Sequence, residues 1–189
     1  IEPFSIKNNE IRFSELKYKT MRNLKILAMI FGIVVALSVG VSAQSIVFTS
    51  LEGDKIDLNA QKGKVVVLAI GAQWLPLSNQ QAVFVNKLAK KYANRDVVFY
   101  FISADSTSEK SKNYASDEEI RKFAAENQLS VTILRDSDGA TSLKKFNIDQ
   151  LPSFVILDKT GKLATEPFSG MDPKTDLSIP ISKEIDKLL

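Results

Sequence analysis

One stretch limits the folds open to this chain more than any other: Val65–Ser78, VVVLAIGAQWLPLS. Its first half is an uninterrupted apolar run rich in β-branched residues and bounded by Gly63 and Gly71. That is the pattern of a strand covered on both faces, and such a strand sits in the middle of a sheet. Pro76 then marks a helix start, because a proline in the first helical turn gives up an N–H that would have had no partner there. A buried strand running straight into a helix is the first half of an α/β unit. In open α/β sheets ligands bind beyond the carboxyl ends of central strands, so Gly71–Ser78 is the expected place for chemistry.

The rest of the chain supplies the other members of the sheet. Ile46 and Phe48 alternate with polar residues, Glu52-Gly53-Asp54 is a turn, and Ile56 and Leu58 follow, which predicts a short hairpin over Ser45–Leu58. After Pro76 the apolar residues Val85, Leu88, Ala89 and Tyr92 recur at i, i+3, i+4 and i+7, predicting a helix with one buried face that ends near Asn94. Val97–Ala104, VVFYFISA, is a second buried strand, so strand, helix and strand form a unit with parallel pairing. Asp105–Tyr114 is polar and aperiodic and is expected to be a loop. Ser116 followed three residues later by Glu119 is a capping box, with Ile120, Phe123 and Ala124 as the apolar stripe of its helix.

Val131–Leu134 reads as a further strand and Thr141–Phe146 as a short helix. Asp136-Ser137-Asp138-Gly139 looks like the start of a calcium loop but lacks the later ligands and the terminal Glu, so it is expected to be a turn. Leu151-Pro152 leads into the strand Ser153–Asp158, and Lys159-Thr160-Gly161 is a hairpin turn whose partner strand is expected over Lys162–Phe168. Pro180 is expected to open a terminal helix with Ile181, Ile185, Leu188 and Leu189 on one face.

Two absences narrow the chemistry sharply. The chain has no Cys and no His. Thiol nucleophiles, disulfides, Cys/His zinc sites and Ser-His triads are therefore excluded, and no cofactor or metal is nominated by any residue pattern. The formal net charge of +3 resides in the first 43 residues, where Lys7, Arg12, Lys17, Lys19, Arg22 and Lys25 stand against Glu2, Glu10 and Glu15. The remaining 19 basic and 19 acidic residues balance, so nucleic acid is not an expected partner.

Taken in order, these landmarks resemble a thioredoxin-like fold, and more closely the exported TlpA-like thiol-disulfide oxidoreductases and the redoxin or alkyl hydroperoxide reductase-related domains. The resemblance rests on Gly63-Lys64-Val65-Val66-Val67-Leu68, Ala72-Gln73-Trp74, Pro76, Ser103-Ala104-Asp105, the Asp136–Gly139 turn, Leu151-Pro152 and Asp158–Gly161. It implies an α/β domain over 45–189 with a central mixed sheet flanked by helices. It also implies that Pro152 is a cis-proline beside the redox motif, whose preceding residue offers its backbone to an extended peptide; an X-Pro bond tolerates the cis form far better than other peptide bonds. Where the family carries W-C-P-P-C, this chain has Trp74-Leu75-Pro76-Leu77-Ser78. A family thiol is activated by the helix N-terminus, but Leu75 cannot ionise, and Ser78 has no base beside it.

No catalytic residue is thus expected, and Leu75 and Ser78 mark a degenerate motif. Trp74, Leu75, Pro76, Leu77, Ser78, Leu151 and Pro152 are the candidate ligand-binding residues of a redox-inactive module that takes a peptide or protein at the former active-site groove. The alternative is an enzyme of thiol-disulfide oxidoreductase or peroxidase type that borrows an external thiol such as glutathione near Ser78, since a helix N-terminus accepts an anionic group. A third reading is a folded spacer with no site.

Residues 21–43 carry a targeting pattern: Arg22 and Lys25, an apolar run from Ile26 to Val41, and the small-residue end Val41-Ser42-Ala43. This describes a signal peptide cut after Ala43, with a periplasmic or extracellular domain. The alternative is a single membrane anchor with the domain outside the cytoplasm, because Ile26–Gln44 approaches the roughly 20 residues that a span requires. Residues 1–20 precede that complete pattern and are expected to carry no fold. N-terminal sequencing of exported material should find Gln44 first; a chain that still holds Phe31 would establish the anchor.

Overall fold

The uninterrupted apolar run becomes the middle of the sheet. The computed structural model describes residues 45–189, and the expectations for residues 1–20 and 21–43 lie outside them. Seven strands, β1 (Val47–Ser50), β2 (Lys55–Asp57), β3 (Val65–Gly71), β4 (Val97–Ser103), β5 (Thr132–Arg135), β6 (Ser153–Leu157) and β7 (Phe168–Ser169), lie in the order β2-β1-β5-β4-β3-β6-β7. The helices are α1 (Pro76–Lys91), α2 (Asp117–Glu126), α3 (Ser142–Lys145) and α4 (Ser178–Leu188). β3, β4 and β5 are parallel, whereas β6 and β7 on one flank and β1 and β2 on the other pair antiparallel. This is a thioredoxin-like α/β fold with a mixed central sheet.

All seven residues of β3 are buried. The two-residue period of a strand sends Val65, Val67 and Ala69 to one face, and Val66, Leu68 and Ile70 to the other. On the first face they meet Phe99 and Phe101 of β4, Phe154 and Ile156 of β6, and the apolar stripes of α1, α2 and α4. Phe101 is buried there, its ring 5.7 Å from that of Phe123 on α2. The second face is covered by Leu58 in a 3-10 turn and by Phe146 and Ile148 just after α3. No helix among the described residues is long and apolar enough to cross a membrane.

The expected hairpin, capping box and cis-proline are all present. Ser116 Oγ accepts from the Glu119 N–H at 3.2 Å, and the Glu119 carboxylate accepts from the Ser116 N–H at 2.8 Å. The Ser116 N–H and, at 3.0 Å, the Ser116 hydroxyl donate to that carboxylate and hold the Glu119 carboxyl below its ordinary range. Three expectations need correction. α1 stops at Lys91, and Tyr92 turns inward to bond its hydroxyl to the Ser182 carbonyl and to Asp186 of α4. The partner strand expected over Lys162–Phe168 shrinks to a bridge at Leu163 and to β7. Pairing lapses before Phe168 because Pro167 has no N–H to contribute to a ladder. The terminal helix begins at Ser178, whose N–H and hydroxyl both bond Asp176, and Pro180 falls within its first turn, where the lost donor costs nothing.

The packing predicts unequal costs for two substitutions. Phe101→Ala should lower the unfolding free energy by about 3–5 kcal/mol. Ser116→Ala should lower it by about 1 kcal/mol. Urea unfolding measures both, and equal losses would contradict the packing of Phe101 within the core.

Candidate functional site

The end of β3 turns into α1 through a short, tightly bonded segment. Ala72 accepts from the Leu75 N–H at 3.1 Å, and Leu75, in extended conformation, accepts in turn from the Ser78 N–H at 2.9 Å. Leu75 therefore caps α1 with its backbone, and Pro76 is the first helical residue. A side chain at Gly71 would crowd this site: a Cβ there would lie 2.8 Å from Ser78 Oγ, 3.1 Å from the Phe101 ring and against the side-chain oxygen Oε1 of Gln81. Strand and helix approach that closely only because this position has no side chain.

Beneath the turn lies a polar cluster shut off from solvent. Ser78 and Gln81 are both fully buried. Ser78 Oγ accepts from the Ala72 N–H at 3.2 Å. Gln81 Nε2 donates to the Ser153 carbonyl at 2.8 Å and to the Ile70 carbonyl at 3.3 Å, so one amide on α1 clasps the ends of both β3 and β6. Its Oε1 has no partner.

The Leu151–Pro152 bond is cis, and Pro152 is buried with its carbonyl accepting from the Gly170 N–H at 3.2 Å. Ile70 pairs with Ser153 in the β3–β6 ladder, which places Pro152 at the same end of the sheet as the Ala72–Leu75 turn. Of the sequence candidates, Trp74 and Pro76 are exposed, and Leu75, Leu77 and Leu151 are half-buried. Leu77 leans on the core layer beneath α1 and Leu151 on the layer across the sheet. Ser78 faces inward and contributes nothing to the surface.

Two residues that matter here escaped the sequence reading. Gln81 interrupts the buried stripe of α1 with a polar side chain, and that interruption is the available signal. Asp105 lies two residues beyond the end of β4 and is 1% exposed. Both of its oxygens accept from the Gln73 N–H, at 3.1 Å each, and Oδ2 accepts from the Ser103 hydroxyl at 2.8 Å. Burial pushes its carboxyl above the ordinary range, while Ser103, the Gln73 N–H and Arg135 pull the other way. Among the described residues no cluster of three acidic side chains could hold a metal ion.

Comparison with known proteins accounts for this arrangement. The model of the AhpC/TSA family matches residues 39–165, two thirds of the chain. The chain belongs to the AhpC/TSA family. It is 28% identical over 147 residues to the thiol-disulfide oxidoreductase ResA of Bacillus thuringiensis subsp. konkukian, covering 78% of this chain and 79% of that one. It is 29% identical over 148 residues to the thioredoxin-like protein YneN of Bacillus subtilis, covering 76% and 82%. A thioredoxin-like protein from Aeropyrum pernix superposes with a TM-score of 0.61 at 20% identity, over 87% of this chain and 99% of that one. A secreted Mycobacterium tuberculosis disulfide oxidoreductase superposes at 0.57 and 24% identity, over 76% and 96%. Those two likenesses speak for the fold. Within this family the present chain has no cysteine at all.

The crowding at Gly71 predicts coupled stability effects. Gly71→Ala should cost about 1–3 kcal/mol by overpacking. Adding Gln81→Ala should return part of that loss by clearing space, so urea unfolding of the double variant should show a smaller decrement than the sum. Strictly additive losses would mean that the two positions do not press on one another.

Proposed function

We propose that this chain is a redox-inactive member of its family that acts outside the cytoplasm. Its task is to hold an extended peptide or protein segment against Trp74, Leu75, Pro76, Leu77 and Leu151, with the buried Pro152 setting the course of the backbone at Leu151. The observation that carries this reading is Trp74, the only Trp in the chain, left 45% exposed at the tip of a rigidly bonded turn. An aromatic ring held there offers a large apolar area at little entropic cost, the usual make-up of a binding anchor. The residue before the cis-proline adds to it: Leu151 makes no backbone hydrogen bond among the described residues, so its N–H and C=O can pair with an extended chain. The signal-like pattern over residues 21–43 supports the exported location.

A thiol-borrowing enzyme gains no support from Ser78. Its hydroxyl is buried and already bonded to the Ala72 N–H, so it presents nothing to a small thiol such as glutathione.

Calorimetric titration with a panel of extended, apolar-rich decapeptides tests the proposal. Leu75→Asp and Trp74→Ala should each weaken binding at least tenfold, about 1.4 kcal/mol. Insulin reduction in the presence of glutathione should stay at the buffer rate. Unchanged affinity in both variants would overturn the binding reading, and turnover above buffer would establish the enzyme.

A further inference from the structure

The turn that presents Trp74 is held by a buried charge. The Gln73 N–H, one residue before Trp74, lies between the two oxygens of Asp105. Behind Asp105 runs a line of hydrogen bonds to the surface. The Ser103 hydroxyl donates to Asp105 Oδ2 and accepts from Arg135 Nη1 at 3.2 Å. Arg135 also donates to the Ala115 carbonyl at 3.1 Å, and its Nε lies 3.3 Å from Asp117 at the start of α2. Arg135 is thus the cation that faces Asp105, and its charge is shared with Asp117. The acids of the neighbouring loop are committed elsewhere: Asp136 accepts from the Thr141 and Ser142 N–H groups, and Asp138 from the Ser106 and Ser137 hydroxyls.

A carboxylate holds a backbone N–H about twice as strongly as a neutral acceptor does. Protonation removes that advantage, and it places a hydrogen on one of the two oxygens that the Gln73 N–H bridges. We infer that Asp105 is the positioning residue of the Trp74 surface: ionised, it fixes the Gln73–Trp74 turn; protonated, it lets the turn loosen and weakens whatever peptide Trp74 holds. The peptide clause rests on the function proposed above, whereas the turn clause does not. Because burial lifts the folded-state value above the unfolded one, the folded chain takes up this proton first as pH falls. The stability that the neutral form confers is full below the unfolded value and fades as pH rises through the folded one. Acid therefore relieves the cost of burying Asp105 while it slackens the turn.

Trp74 reports directly on this, since no other Trp contributes to emission. Emission and acrylamide quenching of the full chain, followed from about pH 8 to about pH 2.5 with far-ultraviolet circular dichroism as a check on folding, should give one titration with a midpoint above 3.8, the ordinary value for Asp. Asp105→Asn keeps the shape and the acceptor but cannot titrate, and should give a flat profile. Ser103→Ala removes a bond to the ionised form and should move the midpoint upward; it serves equally if the Asn variant fails to fold. A flat wild-type profile, an unaltered titration in Asp105→Asn or an unmoved midpoint in Ser103→Ala would each overturn the inference. Peptide affinity of the wild type should fall at least threefold across the same interval; a Trp74 titration without any peptide binding would sink the proposed function and leave Asp105's role standing.

Discussion

The close meeting of β3 and α1 is the constraint on which the rest depends. A strand with every side chain covered has no solvent-facing edge to adjust, so the helix that follows it must leave the sheet at one angle and pack back at one distance. Gly71 allows that distance, and Gln81 uses it by reaching across to two strands with a single amide. Because β3 runs into the Trp74 turn and β6 starts from the cis-proline, the same contact that completes the core also sets where the candidate surface lies.

Around this centre the charges fall into two groups. Exposed pairs such as Lys87–Asp176 and Lys91–Asp186 link α1 to α4 and the loop before it, and pairs of that kind contribute little in water. The line from exposed Asp117 through Arg135 and Ser103 to Asp105 is different in kind. At its inner end Ser103 and Asp105 are shut off from water, and removing one leaves a polar atom of the other stranded.

The parts legible in the sequence are those decided locally. Val65–Gly71 announces a central strand by its own composition, Pro76 its helix, and Ser116 with Glu119 a cap whose two bonds span three residues. Leu151-Pro152 was legible through resemblance, and its cis bond is present. What stayed hidden is set by contacts between distant segments. Gln81 meets Ser153, 72 residues away, and Asp105 meets Gln73, 32 residues away, so neither pattern of neighbours betrays its partner. β7 is shorter than its apolar residues suggest for a local reason, since Pro167 has no N–H to give to the ladder. The candidate surface itself divides: Trp74 and Pro76 are exposed, whereas Ser78 turns inward, where its hydroxyl accepts from the Ala72 N–H.

Positioning and display are thus assigned to different atoms. Backbone groups, Gln81 and Asp105 determine where the turn sits, while residue 75 merely decorates it. Exchanging the side chain at that position consequently alters what the turn offers to a neighbour while leaving untouched the bonds that anchor the underlying framework.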